Sequence, residues 1–243
     1  MFNDIGTILW KEWHELIRQR GSRSGLINWL IMVALLGFFM PFQAGATWVS
    51  HPLVPLLWAW PPVLAVMWIM SDSFAGERER HTLETLLSSR LSDTAILLGK
   101  ILTGVIYGWS IEACSLLVAA VTVNLRAPHS GFYDLPWFLS LLVLSLSVLL
   151  LTCAAGALTS LHAPTVRGAC QRINLVILAI GLVAGLGFRL IPVRDRNQIV
   201  ASLTTGQVHL VSLSLLALML WICSALLIGV ALTHFHRCKL ALD

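Results

Sequence analysis

Side chains able to do chemistry are sparse in this chain, and their spacing argues against most kinds of site. Glu112 stands alone in a long apolar run. A carboxyl so placed either lines a polar path through that run or satisfies itself by hydrogen bonding to Ser110, Ser115 or a neighbouring segment. His234, His236 and Cys238 are metal-binding types, yet three residues on a short tail do not make a closed four-ligand centre, so no metal site is expected. His14-Glu15 lacks the second histidine of a zinc-protease helix. Gly99-Lys100 lacks both the earlier glycine, where Thr94 stands, and the following hydroxyl residue, where Ile101 stands, so it is no phosphate-binding loop. The five cysteines, at 114, 153, 170, 223 and 238, contain no CxxC pair and imply no disulfides. No catalytic constellation emerges, and the chain is not expected to be an enzyme.

The elements that carry these residues follow from composition. Of 243 residues, 57% are hydrophobic and 12% charged, about half of the roughly 25% usual in soluble domains. With a mean hydropathy of +0.82 over several separated apolar runs, no stretch remains for a soluble ATPase, kinase or dehydrogenase unit. The reading is an all-α polytopic membrane protein, a single domain over residues 1–243. A helix needs about 20 apolar residues to cross the hydrocarbon. Six segments qualify: Leu26 to Ala46, Pro52 to Met70, Ala95 to Val123, Leu135 to Thr159, Ile173 to Ile191 and Val208 to Thr233. They are Leu- and Ala-rich without period-two alternation, which argues against strands. With the N terminus inside, twelve Lys and Arg face the cytoplasm and four face outward, so both termini are expected in the cytoplasm of a cell-membrane protein. The net charge of +4 suits orientation against anionic lipid, and nothing points to nucleic acid.

Two segments outside the spans are patterned. Residues 1–23 mix basic and acidic residues without the short apolar core of a signal peptide, and the segment is expected to be retained. Ile5, Ile8, Leu9, Leu16 and Ile17 recur at helical spacing, with Trp10 and Trp13 nearby and Lys11, Glu12, Glu15 and Arg18 opposite. That suits a helix in the headgroup layer, or one packing on a partner. Residues 74–92 place Leu83, Leu86 and Leu87 beside a charged face of Glu77, Arg78, Glu79, Arg80 and Glu84, which predicts a short surface helix. Ser92 or Asp93 then caps a third span longer than the bilayer core, and Lys100 is expected to snorkel from its first turns. Pro61-Pro62 should bend the second span. Gly181 and Gly185 have GxxxG spacing, which fits either a seam between two copies or packing within one. Trp48 and Trp137 fall near outer span ends and Trp10, Trp13 and Trp29 near inner ones, as interfacial belts predict. Trp58, Trp60 and Trp68 share the second span and either pack or line a lipophilic path.

The combination of KEWHELIRQR before the first span with ERERHTLETLLSSRLSDTAILLGK after the second resembles the ABC type-2 permease family. The likeness rests most on Glu77, Arg78, Glu79, Thr82, Leu83, Glu84, Leu86, Leu87, Gly99 and Lys100, and the six-span layout agrees. His81 stands where the family often has Gly, and Arg90 where it often has Pro. The resemblance implies the membrane subunit of an ATP-driven exporter, with ATP and Mg held by a separate ABC ATPase subunit. It further implies docking of that subunit on the N-terminal helix (Trp10, Lys11, Glu12, Trp13, Arg18) and on the coupling helix (Glu77, Arg78, Glu79, Thr82, Leu83, Glu84, Leu86, Leu87). Pairing with a second permease, as homodimer or pseudo-dimer, is implied through the first and fifth spans, in agreement with Gly181 and Gly185. Glu112, Trp60 and Trp68 are then candidates for the substrate path.

Overall fold

Long apolar runs with few helix breakers should fold as helices, and in the computed structural model they do. It describes residues 2–17, 24–50, 60–83, 88, 90–126, 133, 135–190, 192–197 and 210–235. Among these residues there is no strand. The helices are α1 (Phe2–Ile17), α2 (Ser24–Val33), α3 (Met40–Ala44), α4 (Thr47–Ser50), α5 (Trp60–Glu79), α6 (Asp93–Arg126), α7 (Leu135–Leu161), α8 (Val166–Leu190) and α9 (Leu210–His234).

Among the described residues four stretches are long and apolar enough to cross a membrane: Gly25–Ala44, Asp93–Arg126, Leu135–Leu161 and Leu213–His234. The second and fifth of the six expected spans are only partly covered by the described residues. α5 carries Asp72, Glu77, Arg78 and Glu79 in its second half, and the apolar residues before it, 51–59 with Trp58, lie outside the described residues. α8 has Arg167, Gln171, Arg172 and Asn174 in its first turns, residues 173–190 are apolar but for Asn174 and Arg189, and several side chains of that stretch lie outside the description. Pro61 and Pro62 occupy the first turn of α5, where a missing N–H costs little, so within the described helix they break nothing.

α6 is the hub. At 34 residues it is about 51 Å long, well beyond a hydrocarbon core of about 30 Å, and it packs against α1, α2, α3, α5 and α7. It is notched by glycines that admit its neighbours. A Cβ on Gly99 would lie 2.7 Å from Ile8 Cγ2 of α1, and one on Gly104 would lie 2.8 Å from Met70 Sδ of α5. One on Gly108 would meet Val66 of α5 at 2.5 Å and Leu149 of α7 at 2.8 Å. Gly104 and Gly108 are four residues apart, the small-residue spacing that lets helix axes approach closely. Met70, Phe74, Ile101, Leu149 and Cys153 fill the core built around these notches.

The first span is not a plain α-helix. Ala34–Phe39 forms a π-helical segment between α2 and α3, and Gly37 within it sits against α6, where a Cβ would lie 2.9 Å from Val118 Cβ. Thr122 Oγ1 donates to the Gly37 carbonyl at 3.0 Å, so a backbone group loosened by the wider turn is satisfied across the interface. At the end of the molecule away from α1, Trp48 Nε1 donates to the Tyr133 hydroxyl at 2.9 Å. Trp48 is buried there, not in the exposed belt that the sequence suggests, and burial also holds the Tyr133 phenol above its ordinary range. Elsewhere the outward faces are apolar: Leu30, Ile31, Leu175, Leu182, Leu218 and Leu226 are all at least half exposed, the pattern of a chain solvated by lipid tails.

Candidate functional site

The polar residues missing from the outer faces gather at the α1 end of the bundle. α5 runs into a charged C-terminal turn there, and α6 begins nearby with Ser92 Oγ accepting from the Ala95 N–H at 3.3 Å, the expected N-cap. Lys100, about two turns further, does not snorkel. It is 3% exposed and donates to Glu12 Oε1 of α1 at 2.8 Å, to Glu77 Oε1 of α5 at 3.0 Å and to the Ser73 carbonyl at 2.9 Å. All three ammonium protons are thereby used. Lys11 approaches Glu77 Oε1 at 3.6 Å from the half-exposed side and pairs with Glu15 at 3.5 Å. The cluster is alternately signed, as burial of charge requires.

Glu77, Arg78 and Glu79 project in different directions from the last turn of α5, and each binds a different helix. Glu77 reaches α6 through Lys100. Arg78 donates to the Ala163 carbonyl at 2.6 Å and the Leu161 carbonyl at 3.1 Å, covering the otherwise unpaired C-terminal end of α7. Glu79 Oε1 accepts from the Val166 N–H at 2.8 Å, placing a carboxylate on the N-terminal end of α8. Arg80 folds back on Asp72 at 3.2 Å. One turn lower, Ser160 of α7 donates to the Ser71 carbonyl and accepts from the Phe74 and Ala75 N–H groups. One triplet thus ties the ends of α1, α5, α6, α7 and α8.

The chain leaves this node through a tight turn. Thr82 N–H donates to the Glu77 carbonyl at 2.9 Å and His81 N–H to the Arg78 carbonyl at 3.1 Å, the paired bonds of a Schellman helix end. His81 sits at its left-handed position with φ of 57°. That is the position where the resemblance anticipates glycine, and the backbone supplies the reason. Leu83, next along, is buried in the main core.

Several sequence expectations change in this geometry. The charged face of residues 77–80 does not sit on a free surface helix: residues 74–79 continue α5, and Glu77 is 5% exposed because Lys100 needs a buried counter-charge. Leu83 likewise faces inward, whereas His81, Thr82 and Arg90 are exposed. Glu84, Leu86 and Leu87 lie outside the described residues, as do Arg18, His236 and Cys238. α1 packs along α6 through Ile8 and Leu16, with Trp10 exposed and Trp13 half-buried. Glu112 is 6% exposed, and neither proposed hydroxyl serves it, since Ser110 is bonded to Trp29 and Tyr107 and Ser115 Oγ has no partner among the described residues. Trp60 and Trp68 are both more than half exposed on the outer face of α5. Gly185 has open space where a Cβ would go, so packing within the chain does not use it; the surroundings of Gly181 lie outside the description. Sequence reasoning missed Lys100 as the centre of the node, although its place at the start of an apolar helix marked a cation in need of partners. It also passed over Gly104 and Gly108.

Among the described residues no group of His, Cys, Asp or Glu is arranged to hold a metal. The node's chemistry is mechanical: it fixes helix ends with charge-assisted bonds and leaves one exposed turn. Compared one by one with curated proteins, the chain matches none significantly. The family model described as ABC-2 type transporter matches residues 3–190, which takes in α1, the charged node, the glycine-notched hub and all of α8. By that match the chain belongs to the ABC-2 type transporter family and is a multi-pass transmembrane permease component of an ABC transporter.

Proposed function

We propose that the chain is one six-span permease domain of an exporter whose ATP and Mg are held by a separate ATPase subunit. In this reading both termini are cytoplasmic, and the ATPase docks on the segment from Glu79 to Arg90 and the flank of α1. The observation that carries it is the node around Lys100. A push on the exposed His81–Thr82 turn is delivered through Glu77, Arg78 and Glu79 to α6, α7 and α8 together, and through Lys100 to α1. Charge-assisted bonds of this kind transmit displacement better than a flexible connector, because each fixes both ends of the contact. ATP would shift the membrane part between states only through contacts that differ between them, and the turn is where such contacts would be made.

Two copies are expected to assemble. Leu175, Leu178, Leu182 and Leu186 on α8 are exposed, and Gly185 leaves room for close approach by another helix. The test is co-purification with a candidate ATPase followed by reconstitution. ATP, but not a nonhydrolysable analogue, should sustain multiple-turnover transport. Failure with every candidate ATPase would favour a membrane scaffold that holds partners without moving a substrate.

A second reading has one specific observation behind it: the Glu112 carboxylate is buried with no hydrogen bond or ion pair among the described residues. An ion-coupled carrier would use such a group. Transport by Glu112→Gln equal to the parent at every pH would remove that reading.

A further inference from the structure

The last span is held differently from the others. α9 lies along α7, where Trp221 Nε1 donates to Ser147 Oγ at 2.8 Å, and much of its remaining surface faces outward: Leu215, Leu218, Met219 and Leu226 are each more than half exposed. The ionic bonds of the Lys100 node join α1, α5, α6, α7 and α8 and pass it by. Its end nevertheless turns inward. Phe235, the first residue after the helix, still donates its N–H to the Ala231 carbonyl at 2.9 Å and is 2% exposed. Its ring meets that of Phe74 in α5, with centroids 5.6 Å apart and planes inclined at 59°. Tilted contacts are favoured between aromatic rings, because the positive edge of one meets the negative face of the other. The Lys100 ammonium in turn stands over the Phe74 ring, 5.2 Å from its centroid, within the range of cation–π attraction. A continuous path of contact therefore runs from the last span through Phe235 and Phe74 to the centre of the node.

Further contacts fix the end of α9 at this spot. His234 meets His162, just past the end of α7, with ring centroids 5.3 Å apart and edge to face. The His162 carbonyl accepts from Arg172 of α8 at 3.0 Å, between the Leu161 and Ala163 carbonyls that Arg78 holds. Leu83, which follows the His81–Thr82 turn, is buried in the same apolar cluster as Phe74 and Phe235. Filling a core is reason enough for a phenylalanine to be buried. Here, however, burial places the ring in one close-packed cluster with the residue that leaves the turn, and packing at such density passes displacement on to its neighbours.

We infer that Phe235 is a positioning residue of the coupling machinery: its ring, packed on Phe74, carries movement of α5 and Lys100 to the last span. The inference rests on the reading that an ATPase docks on the turn after α5, and it adds α9 to the helices that such docking moves.

The test uses the full chain assembled with its ATPase in nanodiscs, with hydrogen exchange followed by mass spectrometry in the presence and absence of adenylyl imidodiphosphate. In the parent the analogue should change exchange in residues 228–235 at least about threefold, together with a change at the node ends of α5 and α6. Phe235→Leu keeps an apolar side chain but removes the ring, and should reduce the response of 228–235 to less than about 1.5-fold while the responses of α5 and α6 persist. Phe74→Leu removes the other ring of the contact and should do the same, so the test stands even if Phe235→Leu fails to fold. Leu226→Ala, on the exposed face of α9, should leave every response unchanged. A purely structural role predicts faster exchange in 228–235 with and without the analogue alike, its response intact; that result in either ring variant overturns the inference. A parent in which α5 and α6 respond and 228–235 do not overturns it too. A parent in which no segment responds overturns the docking reading, and this inference with it.

Discussion

Replacing Lys100 by Met keeps the length and volume of the side chain and removes its charge. The ammonium lies 2.8 Å from Glu12 and 3.0 Å from Glu77, and the three side chains are 2%, 14% and 6% exposed. At an effective dielectric constant of about 20, each contact is worth about 5–6 kcal/mol of gross Coulomb attraction, offset by several kcal/mol of desolvation per ion. The net value of the intact cluster is therefore small, but the value of its damaged form is not. In Lys100→Met two carboxylates remain less than about 6 Å apart with only the half-exposed Lys11 to balance them, and breaking a buried pair in this way costs about 3–5 kcal/mol. For a chain of this size that lowers the midpoint of thermal unfolding by roughly 6–20 °C. The sign of the coupling is the sharper test. Adding Glu12→Gln and Glu77→Gln to Lys100→Met should restore most of the loss, because the triple variant buries neutral groups only. Thermal unfolding in detergent, followed by tryptophan fluorescence across the set of single, double and triple variants, measures this. If Lys100→Met loses less than about 1 kcal/mol, or if the glutamine substitutions add to its loss, the buried cluster does not hold the node together.

Three further outcomes follow from other contacts. His81→Gly should be neutral or stabilising by up to about 1 kcal/mol and His81→Val should cost about 1–2 kcal/mol, since the position is left-handed; thermal melts of both variants decide it. Gly108→Ala should destabilise by about 1–3 kcal/mol, because its Cβ meets both α5 and α7, and the same melts report it. Gly181→Leu with Gly185→Leu should leave the monomer's melting point within about 1 kcal/mol of the parent while shifting the dimer toward monomer in light scattering, whereas a lowered melting point with an intact dimer would assign these glycines to the interior of one chain.

The helical class, the cap at Ser92 and the overlong third span are legible in the sequence because each rests on local signals: apolar length, a hydroxyl before the first turn, and distance to the next polar residue. The node is not legible in the same way. Glu12 and Lys100 are 88 residues apart, and nothing local distinguishes a carboxylate that will be buried against a lysine from one that faces water. Glu77, Arg78 and Glu79 look like a solvated rim when laid on a single helical wheel, and only the arrival of the ends of α7 and α8 turns Arg78 and Glu79 into caps. Gly104 and Gly108 did carry a readable pattern, the same small-residue spacing that drew attention to Gly181 and Gly185, yet the sequence alone does not say which pair is used within the chain. The π-helical segment at Ala34–Phe39 has no local signature, since its wider turn is fitted to α6 through Gly37 and Thr122.

The central claim is that force from a separate ATP-hydrolysing subunit enters at the turn after α5. The direct measurement is cysteine crosslinking from His81→Cys in the assembled complex, combined with labelling by a membrane-impermeant thiol reagent and with Glu112→Cys as a buried control. The account predicts a crosslink of the permease to its ATPase that changes yield on ATP binding, and labelling only when the cytoplasmic face is open. Labelling of His81→Cys from outside intact cells, or recovery of no ATP-hydrolysing protein on the crosslink, would contradict it.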